Sequence, residues 1–528
     1  MGRIVASLAA TAAVCLALAG TVQAQTETPK RGGTALFVVP QDPPTVNPAV
    51  STNTADREVG CILYHGLVQI SMDYKILPWL AKSWTVSPDG MTYTFELAKA
   101  EWHDGKPFVA DDVKYSLIEV NTKFSSIFAP AGKQIESIEA PSPDKVVIKL
   151  KQPFGPFLLS LACPQGGSIM PAHLFRGTNP MTNPATSTAP VGTGPFKLAE
   201  WKRGDYIRLA KNPKFFLEGR PYLDEIVVKI ITQPAARVQA LKAGEVDLVQ
   251  LFPPSDQDSV RANPKLRIQQ SDVAPGMTFA FLNTSRKPMD DRRVRQALFM
   301  AIDRDYLIKN AFFNHGSVGV MPFTTEIAWA ANPDIDYRKL YPYDPAKANA
   351  LLDETGVKRG TDGKRFPLTL NIFSNSYPEF QQVSVALKSM WGSVGIDLSI
   401  EAMEDATLIK KVYVDRDFDV TLNSYTSLAD PALGIARAFV TSSIGKPGGN
   451  PAGYSNPEVD ALFDKGEHGI TNDSRAPAYK QVQAILARDV PNLTLRQYIN
   501  IDATTTRLKG LWGVVQGNGD WTNGWLDQ

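Results

Sequence analysis

Two periodicities divide the chain. On either side of Asp89-Gly90 the segments SWTVS and TYTFEL alternate apolar and polar residues, a period of two around a tight-turn dipeptide, which predicts a β-hairpin. A second Asp-Gly at 104–105 closes the next turn, and Asp111 ahead of VKYSL predicts a helix N-cap. Upstream, Thr34 to Val39 reads as a short buried strand ended by the prolines of QDPPTVNP, and Ala55 to Leu67 reads as a helix. Beyond Asp290 the period lengthens: Val294, Leu298, Ala301 and Ile302 share one face of a helix capped by Asp290 or Asp291. Asp344-Pro345 opens another helix, stopped by Gly356, and a third around QQVSVALKSMWGSVG feeds the alternating strand of Ile396, Leu398 and Ile400. Helix ATLIKKVY, strand FDVTLNSY and a helix capped at Asn456-Pro457 complete an α/β alternation. The polar stretch TNPMTNPATSTAP at 178–190 is the clearest internal boundary.

Length and charge narrow the classes. A chain of 528 residues exceeds one hydrophobic core, so about two or three compact units are expected. Its 55 basic and 54 acidic residues nearly cancel, which gives no electrostatic reason to expect nucleic acid or an anionic membrane as partner. Residues 1–24 read as a secretory signal: Arg3, the apolar run VASLAATAAVCLALAG, and Val22-Gln23-Ala24 as cleavage site. Thr21 stands where a lipoprotein signal needs cysteine, so cleavage after Ala24 is expected to release an unanchored protein into the periplasm of a Gram-negative cell. Cleavage leaves Cys61 and Cys163, which either pair in an oxidising compartment or stay as two buried thiols.

Catalytic patterns are missing. The histidines at 65, 103, 173, 315 and 468 have no H-x-x-x-H or C-x-x-C partner, so no protein-built zinc site, and no other cofactor, is expected. There is no G-x-S-x-G elbow and no Walker loop, and Gly192-Thr193-Gly194 runs into Pro195, which forbids a phosphate-cradling helix start. GTGPF reads as a crossing of the chain between lobes or as an ordinary glycine turn, and GKPGGNPAG at 445–453 as a mobile loop. A secreted hydrolase would need a clustered nucleophile and base, which these scattered histidines do not provide.

Five blocks, in order, carry a resemblance. They are the run from Pro78 to Leu117 with its two Asp-Gly turns, GTGPF at 192–196, VRQALFMAID at 294–303, YDPAKANALLDETG at 343–356 and GYSNPEVDALF at 453–463. Together they resemble extracellular solute-binding proteins of family 5, the peptide and nickel class of receptors for ABC importers. The resemblance implies an α/β, periplasmic-binding-protein-like fold of two hinged lobes with an additional inserted domain. Its first domain is discontinuous, at 33–63, 186–288 and 501–528; the inserted second spans 64–185 and the third 289–500. It implies a monomeric, non-enzymatic receptor that captures a peptide or peptide-like solute between the first and third domains and delivers it to a membrane permease. An opine, an oligosaccharide or chelated nickel is the alternative cargo, and signalling or chaperoning an alternative role.

The same resemblance supplies site candidates. Thr52, Asn53 and Thr54 follow the NP turn where relatives contact ligand, and Tyr425 stands where peptide-binding relatives carry a stacking tryptophan, unless it packs in the core. Relatives pair the peptide ammonium with an aspartate a few residues before a proline; here Ser427 or Leu428 fills that place, and Asp430 abuts Pro431, a position that caps structure. That absence counts against a free-amine peptide, because an ammonium buried without a countercharge is costly. Trp329 either lines the pocket or caps the third domain. In LTLRQYIN, Thr494, Arg496 and Tyr498 share one strand face, where Arg496 either meets a carboxylate in a two-pronged contact or stays solvated.

Overall fold

The computed structural model describes residues 28–527 apart from 52, 271–274, 375, 376, 378, 428 and 516–518, and does not extend to the side chain of Thr54. The expected signal 1–24, the candidate Thr52 and Leu428 therefore lie outside the described residues. Three sheets organise the chain. The first has seven strands in the order 266–270, 501–505, 248–249, 34–39, 225–230, 206–211 and 196–202. Thr34–Val39, Glu225–Ile230 and Leu248–Val249 run parallel, and their neighbours are antiparallel. A second sheet of four antiparallel strands spans Ala81–Val86, Thr92–Leu97, Lys145–Leu150 and Ile135–Ser142. The third has six, in the order 317–318, 492–498, 276–282, 420–426, 366–373 and 396–403.

Local signals became the expected elements where the interaction is short in sequence. Gly90 takes φ +70° in the Asp89-Gly90 turn. Asp291 accepts from Arg293 N, Asp344 from Lys347 N, and Asn456 from Glu458 N and Val459 N at three helix starts. The helix expected to be capped by Asp111 begins at Ala110, with Val109 at the N-cap position. Asp111 is exposed and paired with Arg176, whereas Asp112 at the third helical position reaches back to Val109 N at 3.0 Å and also accepts from Trp102 Nε1 and Ala172 N. Only the second of the adjacent acids turns inward, where three donors meet it. The glycine-rich stretch 445–453 is anchored: the buried Asn450 side chain donates to Phe439 O and Tyr454 O and accepts from Gly453 N.

The strand Gly276–Leu282, GMTFAFL, falls within the 186–288 stretch that the resemblance groups with the first sheet, and it is buried along its whole length at the centre of the six-stranded sheet. The chain passes from the first sheet to the third between Gln270 and Gly276 and returns at 499–500, between Asn492–Tyr498 and Ile501–Thr505.

The four-stranded region is fused to the first sheet. Tyr115, Met170, Ala172 and Phe175 pack into the core around Phe37 and Val39. Cys61 in the helix Thr54–Leu63 is disulfide-bonded to Cys163, with Cα atoms 5.9 Å apart. GTGPF crosses beneath this junction: a Cβ on Gly192 would stand 1.8 Å from Leu63 O, so only glycine fits. His103 holds the same segment, Nδ1 accepting from Gly192 N at 3.2 Å and Nε2 donating to Gly194 O at 3.1 Å.

Burial pushes the His103 pKa down to about 4 and that of His65 to about 3. Both folded values lie below the unfolded value of about 6.5, so the unfolded chain binds protons first and stability is lost as pH falls below that point. Each histidine is expected to remove about 1 kcal/mol between pH 6.5 and 5.5. Urea midpoints measured across that range check this, with His103→Gln flattening the slope; a pH-independent midpoint contradicts it.

Candidate functional site: the facing edges of two sheets

Both crossings leave from one kind of edge. Gln270 pairs with Ile501 just beyond the carboxyl end of Leu248–Val249, and Gly276 pairs with both Thr426 and Tyr498 at the carboxyl end of Val420–Thr426. The carboxyl edges of the two sheets' parallel strands therefore face each other across two short crossings. Open α/β sheets bind ligands outside such edges. The helices that follow parallel strands start there too, Thr54–Leu63 from the first sheet and Glu379–Ser393 from the third.

On the third sheet one face changes character along its length. Ala280, Leu282, Leu422, Leu370 and Ile372 belong to an apolar core. Towards the crossings the same sheet carries Thr278, Ser424, Arg496 and Tyr498. Arg496 is 1% exposed, so it is not a solvated arginine. Its guanidinium lies 4.0 Å from the Phe312 ring centroid and 4.1 Å from that of Tyr498. Nε donates to Thr278 Oγ1 at 3.3 Å and Nη2 to Glu379 Oε1 at 3.2 Å, while Nη1 has no hydrogen-bond partner among the described residues. Burial pulls its pKa below the ordinary arginine value. Burial, followed by the charge of Arg496, lowers that of His315, whose Nε2 donates to Ile499 O at 2.8 Å in the crossing itself.

The other candidates fall in three places. Asn53 caps its helix, Oδ1 accepting from Ala55 N at 2.9 Å, so its side chain sits at the first sheet's carboxyl edge. Ser427 is buried at the opposite edge; its N–H donates to Pro275 O at 3.0 Å, and Oγ has no partner among the described residues. Tyr425 is packed between Phe279, Phe281 and Arg437, and its hydroxyl donates to Gly449 O at 2.6 Å, so it presents no open ring face. Asp430 spends both carboxylate oxygens on Arg475, at 2.7 Å each, and caps Ala432 N. Trp329 covers that pair, 4.8 Å from the Arg475 guanidinium. The structure thus joins Trp329 to Asp430 and separates both from Arg496.

Sequence reasoning placed Tyr498 beside Arg496 but missed Glu379, Thr278, Ser424 and His315. Glu379 had a signal, a first-turn residue after an apolar strand; the others are met only through pairing of distant strands.

Two lobes joined by two crossings, with a polar patch at the facing edges, define a hinged solute-binding fold. The chain belongs to the bacterial extracellular solute-binding proteins, family 5, whose middle-region model matches residues 75–446. It is a substrate-binding receptor. It is 30% identical over 485 residues to the glutathione-binding protein GsiB of Salmonella choleraesuis, covering 89% of this chain and 90% of that one. Oligopeptide-binding protein AppA of Bacillus subtilis, solved with a nonapeptide, superposes with TM-score 0.79 and 26% identity over 95% of this chain and 100% of that one. AgaA from A. tumefacien R10, solved with agropinic acid, gives TM-score 0.73 and 26% identity over 94% and 99%.

Proposed function

We propose that this chain is the periplasmic receptor of an ABC importer, binding a peptide or peptide-like solute through its carboxylate and handing it to a membrane permease as an unanchored, non-enzymatic monomer. Arg496 carries the reading: a buried cation at the cleft edge, bonded to one carboxylate oxygen and holding one nitrogen without a partner among the described residues. A carboxylate of the solute meets that nitrogen, with Ser427 and Asn53 bordering the same opening. The place where relatives carry the ammonium's aspartate holds Ser427 or Leu428, neither of them acidic, and the neighbouring Asp430 is consumed by Arg475. An anionic opine, the type of solute held by AgaA, is the second reading and rests on that absence.

The test is a thermal-shift panel of free di- to pentapeptides, their C-terminal amides and opines. A solute at ~100 times its Kd adds ~2.7 kcal/mol of stability. Arg496→Met is expected to weaken carboxylate-bearing solutes about 10- to 100-fold, the loss of a hydrogen bond to a charged group, and to leave amides unaffected. If no compound raises Tm the receptor reading fails for these classes; if acids and amides bind alike, Arg496 is not the carboxylate contact.

A further inference from the structure

The lobes meet at a second place, far in sequence from the crossings. The turn Gln152–Gly155 of the inserted region lies against the corner where the helix Pro457–His468 gives way to Asn472–Asp489 in the third region. Gly155 N donates to Glu467 O at 2.8 Å. Gln152 Nε2 donates to His468 Nε2 at 2.6 Å, and His468 Nδ1 donates in turn to Asp464 O at 2.8 Å, so a single neutral tautomer satisfies both ring nitrogens. The ring of Phe154, a core residue of the inserted region, stands 6.5 Å from that of His468. Gly155 lies directly on Arg475: a Cβ there would be 2.6 Å from Nε and 2.7 Å from Cζ. Two further contacts widen the seam. A Cβ on Gly90 would stand 3.0 Å from Ile470 Cγ1, and Leu433 packs against the inserted region's core.

These contacts join opposite lobes. The inserted region shares a core and a disulfide with the first sheet, whereas the corner Glu467–Arg475 belongs to the third region, which the chain joins to the first between Gln270 and Gly276 and between Tyr498 and Ile501. Opening about the crossings has to break the seam and uncover Arg475. We propose that Gln152–Gly155 is a clasp: the inserted region holds the lobes closed by gripping the Glu467–Arg475 corner, and so tunes solute affinity without touching solute. The inference rests on the hinged-receptor reading above. Its energetic logic is population shift, since a closed, binding-competent state made less abundant weakens apparent affinity by the same factor.

The shape of the interface selects the variants. Gly155→Ala places a methyl group against the Arg475 guanidinium, and Gln152→Ala removes the side-chain hydrogen bond that Gln152 makes across the seam, together with a longer one to Gln134 inside the inserted region, without touching either core. The solute-free full-length mature chain is labelled with nitroxides at Glu245→Cys on the first lobe and Lys388→Cys on the third, and the inter-label distance distribution is read by pulsed electron resonance. Gln152→Ala is expected to raise the open-to-closed ratio roughly fivefold, the factor that accompanies one ordinary hydrogen bond, and Gly155→Ala at least as much. Distributions in both variants that match the parent overturn the clasp. A parent that shows two distances, unchanged in the variants, leaves the hinged receptor standing while removing the clasp; a parent and variants that all share one rigid distance remove both.

Discussion

Asp430→Asn is expected to destabilise the folded chain by about 3–5 kcal/mol, because it leaves the Arg475 guanidinium buried without its countercharge. Both side chains are 2% exposed. Two 2.7 Å bonds pair them in parallel, and Arg475 also donates to Gly466 O and Tyr479 Oη. Interaction with Asp430 raises the Arg475 pKa above its ordinary value despite burial, and a guanidinium stays protonated even when that interaction is removed. Adding Arg475→Met to Asp430→Asn is expected to recover part of the loss, since the uncompensated charge is then gone. Urea unfolding of the two single variants and the double variant measures the coupling. A single-variant cost below about 1 kcal/mol would show that the pair is solvated and weak. Solute affinity is a separate readout: neither oxygen of Asp430 is available to a solute, so any change in affinity arises through the Glu467–Arg475 corner and not through a lost solute contact.

Removing the disulfide has the second large effect. Cys61 and Cys163 are 102 residues apart in sequence, and closing a loop of about that length restricts the unfolded chain by up to roughly 4.7 kcal/mol, with 2–5 kcal/mol the usual loss when a native bond is removed. Cys61→Ser/Cys163→Ser is therefore expected to lower stability by about 2–5 kcal/mol. Hydrogen exchange should show the loss concentrated in residues 64–185 and in the helix Thr54–Leu63, where the bond holds the inserted region to the first sheet. Equal urea midpoints for the oxidised and reduced parent would contradict the expectation.

The two predictions also mark what could be read from sequence and what could not. Asp89-Gly90, Asp344-Pro345 and Asn456-Pro457 were legible because a turn or cap is decided within three or four residues. Neighbouring acids defeat that logic: Asp111 and Asp112 have equal local claims, and only the tertiary donors Trp102 and Ala172 choose between them. The resemblance grouped residues 186–288 with the first sheet, and GMTFAFL carries no mark of which sheet it joins. For the site, alternation put Thr494, Arg496 and Tyr498 on one face; Arg496 and Tyr498 pair with Thr278 and Gly276, whereas a register shift pairs Thr494 with Phe279. What covers that face comes from Glu379 and Phe312, each more than a hundred residues away. The sequence leaves Tyr425 between a ring offered to solute and a residue packed in the core; its position at a strand end could not reveal that Phe279 and Phe281 of the adjacent strand enclose it. Family resemblance supplied the fold because turns and caps recur along much of the chain, and it supplied the solute poorly because the residues facing the cleft come from separate strands and crossings.

Strand Ile501–Thr505 lies inside the first sheet, between Leu266–Gln270 and Leu248–Val249, and among the described residues Leu266–Gln270 pairs with no other strand. During synthesis the six-stranded sheet has all its strands once residue 498 has emerged, whereas Leu266–Gln270 must wait through more than two hundred residues for its partner. The nascent chain therefore holds an unpaired strand edge throughout that interval, and the lobe begun first is finished last.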